Sequence, residues 1–559
     1  MSHAVVRTAL ERALEEMGAP STEVHLERPR DPAHGDVATN VAMTLASILR
    51  KPPREIAEEL VRRISEGEPG IERVEVAGPG FLNFHLSTDR VTAGLREVLE
   101  LDESFGKGTA GEGRPVVVEF VSANPTGPLH LGHGRQAALG DTISALLEWN
   151  GWEAYREFYY NDAGRQIELL ARSVQARYLE HFGRDASVPE DGYHGVFVIE
   201  LARAFAETAG DRYLEDSPEG LAEMRRFAVD RIRKEQDRDL SDFGVHFDEY
   251  YLETSLYDEG RVDRTIERLR ETGLVYEHEG ALWLRTTEYG DQKDRVMVKS
   301  DGSPTYFLPD VAYHLTKWER GFQDAINVQG ADHHGTVDRV RAGLRALGLP
   351  AGYPEYVLHQ MVTVEREGKE VKFSKRAGSY ITLRELVEEV GADVTRYFFL
   401  MRKPEAHLVF DLDMALDQSD KNPVYKVQYA HARICSIFRK AGLDWEDVDP
   451  EAADLTLLET EQERELAKKL TEFPELIARA GAHRAPHLVC EYLEQTAGQV
   501  NSWYHAGNPT RNPQLAVLVD DTELRRARLA LASAIRVVLR NGLRLLGLNA
   551  PVRMEKESD

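Results

Sequence analysis

Apolar positions recur at helical spacing from the start of the chain to about residue 64, interrupted at Pro52-Pro53. Strand-like runs follow at Ile71–Val76 and Phe81–Leu86, around Gly78-Pro79-Gly80. Beyond a glycine-rich stretch, Lys107 to Arg114, a strand is predicted over Pro115–Ser122. It leads through Ala123-Asn124-Pro125-Thr126-Gly127-Pro128 into an amphipathic helix that opens at His130-Leu131-Gly132-His133 and ends near Asn150. A second strand, Ala154–Tyr160, precedes a helix from Arg165 to about His181. Residues 185–285 are charged and mainly helical in pattern, as an insertion between two halves of a sheet would be. Strand patterns return at Pro304–Leu308 and Ala325–Gln329, the latter running through Gly330-Ala331-Asp332-His333-His334-Gly335 into a helix toward Leu347. Gln360–Glu365 and Glu370–Phe373 flank Glu367-Gly368 as a hairpin, and Thr382 and Glu385 have capping-box spacing. From Tyr425 onward only amphipathic helical patterns remain.

Repeated strand, Gly/His turn and helix units predict an α/β class, with a doubly wound, Rossmann-type parallel sheet over residues 112–415. An N-terminal α+β domain over 1–88 precedes it, and an all-α helical bundle over 420–559 follows. A chain of 559 residues is long enough for several cores. No apolar stretch approaches the roughly 20 residues that span a bilayer. The first residues lack the basic start and apolar core of a signal peptide. Cys435 and Cys490 are the only cysteines, so neither a disulfide framework nor a CxxC zinc motif is available. A cytoplasmic, monomeric protein without membrane contact or bound zinc is expected. The net charge of −26 argues against nonspecific coating of nucleic acid, although local basic faces can still meet an RNA.

His130 and His133 sit one turn apart at a predicted helix start, where unpaired N–H groups and partial positive charge favour phosphate oxygens. Gly132 between them leaves room for a flat group such as a purine. Two histidines at this spacing also occur in half-formed zinc sites and on polar surfaces. The strand, Gly/Pro turn and helix order favours a nucleotide-triphosphate site beyond the strand ends. Lys372-Phe373-Ser374-Lys375-Arg376, with glycines on both sides, can close over a ligand and place ammonium groups on the β- and γ-phosphates. A charge run alone is more often a solvated loop.

HLGH followed by KFSKR resembles the signature pair of the class I aminoacyl-tRNA synthetases, with Phe373 for the usual methionine and Arg376 for the final serine. VEFVSANPTGPLHLGH, YYNDAGRQ, YFLPDVAYH, GADHHG and NPVYKVQYAHAR resemble the bacterial arginyl-tRNA synthetases. HGDVATNVAM and GPGFLNFHL resemble that family's additional tRNA-binding domain, and the C-terminus ending LGLNAPVRM resembles its anticodon-binding domain. The resemblance implies an ATP-dependent arginine ligase with ATP, Mg2+, arginine and tRNA as partners, in which activation awaits tRNA. It implies that His130, Gly132, His133, Asp332, Lys372, Ser374 and Lys375 bind ATP, with His130, His133, Lys372 and Lys375 catalytic. Guanidinium contacts fall to Glu119, Tyr306 and Asp310, and the α-amino end to Ser122 and Asn124.

A carboxylate can take a guanidinium in a fork, which suits Glu119, at the end of the first sheet strand, and Asp310, beside Tyr306 at the end of another. Glu119 could instead pair with a neighbouring arginine and Tyr306 could pack in the core. Arg525, Arg528, Arg536, Arg540 and Arg544 fall largely along one helical face, so Arg536, Arg540 and Arg544 are candidate RNA contacts. A face making salt bridges within an acidic protein is the alternative. Tyr425 and Tyr504 are candidates for stacking on anticodon bases. A synthetase for another amino acid is the enzyme-class rival, with the two carboxylates arguing against an apolar substrate, and a retired paralogue is opposed by the intact lysines.

Overall fold

The computed structural model describes residues 2–27, 29, 31, 34–64, 69–162, 164–371 and 380–554. At its centre five parallel strands, β1 (Pro115–Glu119), β2 (Glu153–Tyr160), β3 (Glu249–Leu252), β4 (Asp324–Gly330) and β5 (Glu355–His359), lie in the order β5-β4-β1-β2-β3. Successive side chains of a strand point to opposite faces. Val116 and Val118 accordingly enter one core and Val117 the other. Both faces are buried, which explains why β1 reads as an uninterrupted apolar run.

Helix α1 (Leu131–Trp149) covers one face and leans on Phe120, a contact that requires Gly140. The long helix α2 (Pro218–Asp242) belongs to a helical insertion with a core of its own. Helices α3 (Phe307–Glu319) and α4 (His334–Ala346) cover the opposite face. Helix α5 (Leu383–Val390) starts at Thr382 with the expected capping box. Between β1 and β4 the winding reverses direction, so the loops leaving both strands border a crevice, the usual ligand position in such sheets.

Three predicted elements are corrected. Pro304–Leu308 is not a sheet strand: Pro304 makes one bridge with Val298, and Tyr306 caps α3. Pro309 lies in that helix's first turn, where a missing N–H leaves no intrahelical bond unmade. Residues 185–285 are not simply an insertion, since β3 joins the main sheet and Val275–His278 with Ala281–Leu284 form a hairpin. The first 64 residues are not all helical, because Val37–Thr39 pairs with Phe81–Leu86. The N-terminal module keeps a separate core spanning Val6 to Leu86.

The C-terminal bundle includes α6 (Pro423–Ala441), α7 (His487–Ala506) and α8 (Thr522–Leu545). Its arginine row turns largely inward, which corrects the expectation of an open RNA face. Arg528 Nε donates to Glu463 Oε1 at 2.7 Å, both side chains buried. Arg536 lies over Trp445 at 4.9 Å and 3.5 Å from Asp102, while Arg540 Nη2 donates to Asp102 Oδ1 at 2.9 Å. Arg544 pairs with Glu103 at 2.6 Å and stays half exposed. Asp102 and Glu103 end the helix Thr88–Leu101 that leaves the N-terminal module, so the row is a seam between segments. Tyr425 and Tyr504 are half-buried. Tyr425 stacks on Tyr429 at 5.6 Å, and the Arg433 guanidinium lies over Tyr429 and Tyr504 at 4.6 and 4.8 Å. Among the described residues no helix is long and apolar enough to cross a membrane.

A Cβ added at Gly140 would sit 2.1 Å from Phe120 Cγ, in a core with no slack. Gly140→Ala should lower stability by about 2 kcal/mol. The check is the urea midpoint of the catalytic unit, followed through Trp149 and Trp152 fluorescence.

Candidate active site

The helix bearing HLGH begins with reciprocal hydrogen bonds. His130 is the N-cap, and its Nδ1 accepts from the N–H groups of Gly132 (3.0 Å) and His133 (3.3 Å). His133 is the third helical residue, and its Nδ1 accepts from the His130 N–H at 3.3 Å. The rings stack with centroids 3.6 Å apart. An Nδ1 that accepts carries no proton, so each neutral ring must bear its hydrogen on Nε2, free to donate to a ligand. Loss of water around the rings pushes both imidazoles below their ordinary value, His133 well below, where His130 and His359 add to the effect. Two neutral N–H donors therefore face the crevice at neutral pH. Gly132 is held small first by the His130 ring, whose Cε1 would lie 2.8 Å from an added Cβ.

The turn joining β1 to this helix is strained. Val121 and Ser122 both have positive φ, 68° and 42°, although Val121 is β-branched. The turn aims Ser122 Oγ at Glu119 Oε1, to which it donates at 2.9 Å, and Oγ accepts from the Tyr159 N–H at 3.3 Å. Asn124 Nδ2 donates to Gln166 Oε1 at 2.5 Å. All five predicted arginine-site residues, Glu119, Ser122, Asn124, Tyr306 and Asp310, line one cavity of about 360 Å³. Asn124 also borders a second cavity of about 370 Å³, lined by His130, His133 and Tyr380.

The two carboxylates expected to read the guanidinium differ in state. Glu119, 4% exposed, already accepts from Lys317 Nζ at 2.5 Å. That partner is a lysine within the core, not the neighbouring arginine considered from sequence. Lys317 also donates to Asn327 Oδ1 at 3.0 Å. No hydrogen bond or ion pair of the Asp310 side chain occurs among the described residues. Burial and the nearby charges of Glu253 and Glu119 push its carboxyl up to about 7, against a smaller opposing pull from Arg339. Tyr306 stands at the cavity rim, 67% exposed, and is not a core residue.

Asp332 is exposed beside His333, 3.6 Å away. Lys372, Ser374 and Lys375 lie outside the described residues. The chain that follows their segment reaches the HLGH turn: His130 bridges Thr382, the Leu383 N–H donates to Leu129 O at 2.8 Å, and Tyr380 Oη donates to Pro128 O at 3.1 Å.

Three family descriptions match the chain in succession: Arginyl tRNA synthetase N terminal domain over residues 4–86, tRNA synthetases class I (R), catalytic domain over 95–403, and DALR anticodon binding domain over 427–554. The arginine–tRNA ligase of Geotalea daltonii is 52% identical over 538 residues, covering 95% of this chain and 94% of its own. That of Thiobacillus denitrificans is 51% identical, covering 98% of each. The chain belongs to the arginyl-tRNA synthetase family. The solved arginyl-tRNA synthetase of Thermus thermophilus shares its fold with a TM-score of 0.77 at 26% identity, covering 99% of this chain and 100% of that one.

Several site residues escaped the sequence reading. Tyr313, His314 and Lys317 continue from the already noted Asp310 as a polar stripe at helical spacing along α3, turned toward the sheet, and that inverted amphipathic pattern was a usable signal. Arg135, three residues after Gly132, is fully buried and donates to the carbonyls of Gln360 (2.7 Å), Lys403 (3.0 Å) and Ala406 (3.1 Å). His359 ends β5, with burial pushing it down to about 4. No local pattern singles these two out.

A guanidinium seated on Asp310 would require the ionised carboxylate. Below about pH 7 a growing share is protonated and unable to accept both guanidinium donors, so arginine KM should rise roughly tenfold per pH unit lost. Above that pH it should flatten. Asp310→Asn should raise KM at every pH and remove the dependence, as steady-state kinetics between about pH 5.5 and 8.5 would read.

Proposed function

We propose that the two adjoining cavities divide the substrates of this ligase between them, arginine in the one bounded by Glu119 and Asp310 and ATP over the HLGH helix start. The reaction follows from family membership: arginine and ATP give arginyl-adenylate and pyrophosphate, and the arginyl group then passes to the terminal adenosine of tRNA. The observation that carries the site reading is the convergence of Glu119, Ser122, Asn124, Tyr306 and Asp310 on one cavity that meets the other at Asn124.

Asp310 takes the guanidinium, with Tyr306 across the cavity mouth and Glu119 supplying a second, partly neutralised carboxylate. Ser122 and Asn124, on the strained turn, orient the α-amino end and leave the substrate carboxylate pointing toward the HLGH cavity. There it attacks the α-phosphorus in line, a new O–P bond forms, and the bond to pyrophosphate breaks. Positioning and charge neutralisation carry such a step more than covalent catalysis does. The His130 and His133 Nε2–H groups donate to phosphate oxygens, and Gly132 lies under the adenine. Lys372, Ser374 and Lys375 stabilise the departing pyrophosphate, a role supported by the position of Tyr380 and Thr382, which follow them in the chain, beside His130.

Magnesium fits as a companion of ATP. Among the described residues no group of three or more His, Cys, Asp or Glu could hold a metal, and this ion is commonly bound by one or two carboxylates with substrate phosphates. Asp332 is the exposed carboxylate at the site that would supply a ligand, and the ion would neutralise phosphate charge. The Tyr425, Tyr429, Arg433 and Tyr504 ladder is the proposed tRNA contact of the bundle, together with the half-exposed Arg544. Two buried thiols suit a reducing cytoplasm, where the chain is read as acting as a monomer.

The deciding experiment is aminoacylation and ATP–pyrophosphate exchange with each of the twenty amino acids, tRNA present. Only arginine should support both; exchange with a different amino acid would overturn the assignment of Asp310 and Glu119. Lys375→Ala should lower the exchange rate at saturating substrates by about a hundredfold while changing arginine affinity little, because its charge matters most as pyrophosphate leaves. Rapid-quench measurement of adenylate formation reads that difference.

A further inference from the structure

Helix α2 meets the chain on both sides of the ATP site through one face. Gln236 is 1% exposed, and its Nε2 donates to the carbonyls of Asn124 (3.1 Å) and Gly127 (2.9 Å), in the turn that leads into HLGH. Its Oε1 has no partner among the described residues. A buried amide with an unsatisfied oxygen costs stability, so apolar burial alone does not account for a glutamine here. Three residues on, Asp239 is 7% exposed and accepts from Arg384 Nε at 2.6 Å and from Nη2 at 2.5 Å. Arg384 is the second residue of α5, just past the KFSKR segment, and the cap of that helix bridges His130. Residues three apart share a helix side, so one face of α2 holds the chain before the first motif and after the second.

A cavity of about 230 Å³ separates these segments, lined by Gly127, Phe197, Arg231 and Thr382 along with Asp239 and Arg384. Beside this gap, where the two segments also meet directly through the His130–Thr382 bridge and the Leu383 N–H to Leu129 O bond, Gln236 and Asp239 add polar contacts from a third element, next to the buried Leu240. Asp237, between them, accepts from Tyr160 Oη at 2.9 Å and fixes the same turn of α2 to the end of β2.

We propose that Gln236 and Asp239 are positioning residues for amino-acid activation, forming a strut from the insertion that braces the HLGH turn against the start of α5, the helix that follows the KFSKR segment. The inference rests on reading those two motifs as the ATP-binding machinery. Neither residue touches a substrate. Loss of the strut leaves both motifs present but misaligned, which lowers the rate of the chemical step more than it weakens arginine or tRNA binding.

The test uses the full-length enzyme with tRNA and compares Gln236→Met, Asp239→Asn, Arg384→Gln and Arg384→Lys in ATP–pyrophosphate exchange. The first three should lose at least about tenfold in kcat, with arginine KM and tRNA Kd within about twofold of the parent. Arg384→Lys keeps the charge beside Asp239 and should retain kcat to within about threefold. Where Asp239→Asn fails to fold, Arg384→Gln reads the same contact from a half-exposed side chain. Parental kcat in Gln236→Met and Arg384→Gln overturns the strut, as does a kcat loss matched by equal losses in arginine and tRNA binding. His133→Ala separates the two levels: if it alone loses activity the strut fails and the site reading stands. If His133→Ala is as active as the parent, the site reading itself fails.

Discussion

At the start of α1 the first N–H groups have no partner within the helix, and His130 takes two of them on a single ring nitrogen. That choice costs the site two backbone donors a phosphate could have used. It returns two imidazole Nε2–H groups whose direction is fixed by the helix, because His133 is locked by the same exchange. The stacked rings, the small residue at 132, and the bridge from His130 to Thr382 all depend on this cap. Keeping both rings neutral matters as well. Two imidazolium rings 3.6 Å apart would repel, so positive charge for the triphosphate must come from elsewhere, which is the part proposed for the two lysines.

The cavity proposed for arginine poses the opposite problem, since a site for a cation must not collapse on itself when empty. Glu119 carries its own counter-charge in Lys317, and the pair satisfies its hydrogen bonds through Ser122 and Asn327. A buried pair of this kind contributes little net stability, but removing one partner leaves an uncompensated charge, so it acts as a fixed anchor. Glu253 is held by Tyr159 Oη at 2.9 Å. Asp310 is left as the carboxylate without a matched cation, and its raised proton affinity measures that deficit. A guanidinium would supply what the site lacks, and on the proposed reading that is a reason for selectivity that does not depend on cavity size.

The parts of this arrangement visible in the sequence are those encoded locally. HLGH, the Gly/Pro turn before it and the capping box at Thr382 are short-range patterns, and each element formed where its pattern indicated. Failures came where tertiary context decides. EYYL is too short and too flanked by charge to announce a sheet strand, and only its pairing with β2 makes it one. Tyr306 and Asp310 sit in a helix because Pro309 tolerates a first turn, while the preceding residues carry strand-like character. The arginines of α8 looked like a binding face because a helical stripe of cations does not reveal what lies opposite. Asp102 and Glu103 come from more than 400 residues earlier in the chain, a pairing no local pattern can show.

Those arginines then explain how three separately patterned regions hold one geometry. Arg540 and Asn541 reach Asp102 and the carbonyl of Phe105 from the C-terminal helix, tying it to the chain just before the sheet begins. Arg396 does the converse, pairing with Asp141 of α1 and donating to Leu546 O at 2.5 Å, against Gly547, where an added Cβ would lie 2.5 Å from the guanidinium carbon. Apolar side chains from the sheet face, α1 and the bundle merge into one core around these contacts. Hydrophobic burial supplies the association there but is indifferent to direction. The buried guanidinium contacts each admit one geometry, because a misplaced partner would leave a charge without its acceptors. The bundle is therefore fixed to the HLGH side of the sheet, and the insertion is joined to the same core through Leu240 and held in direction by the polar contacts of Gln236, Asp237 and Asp239.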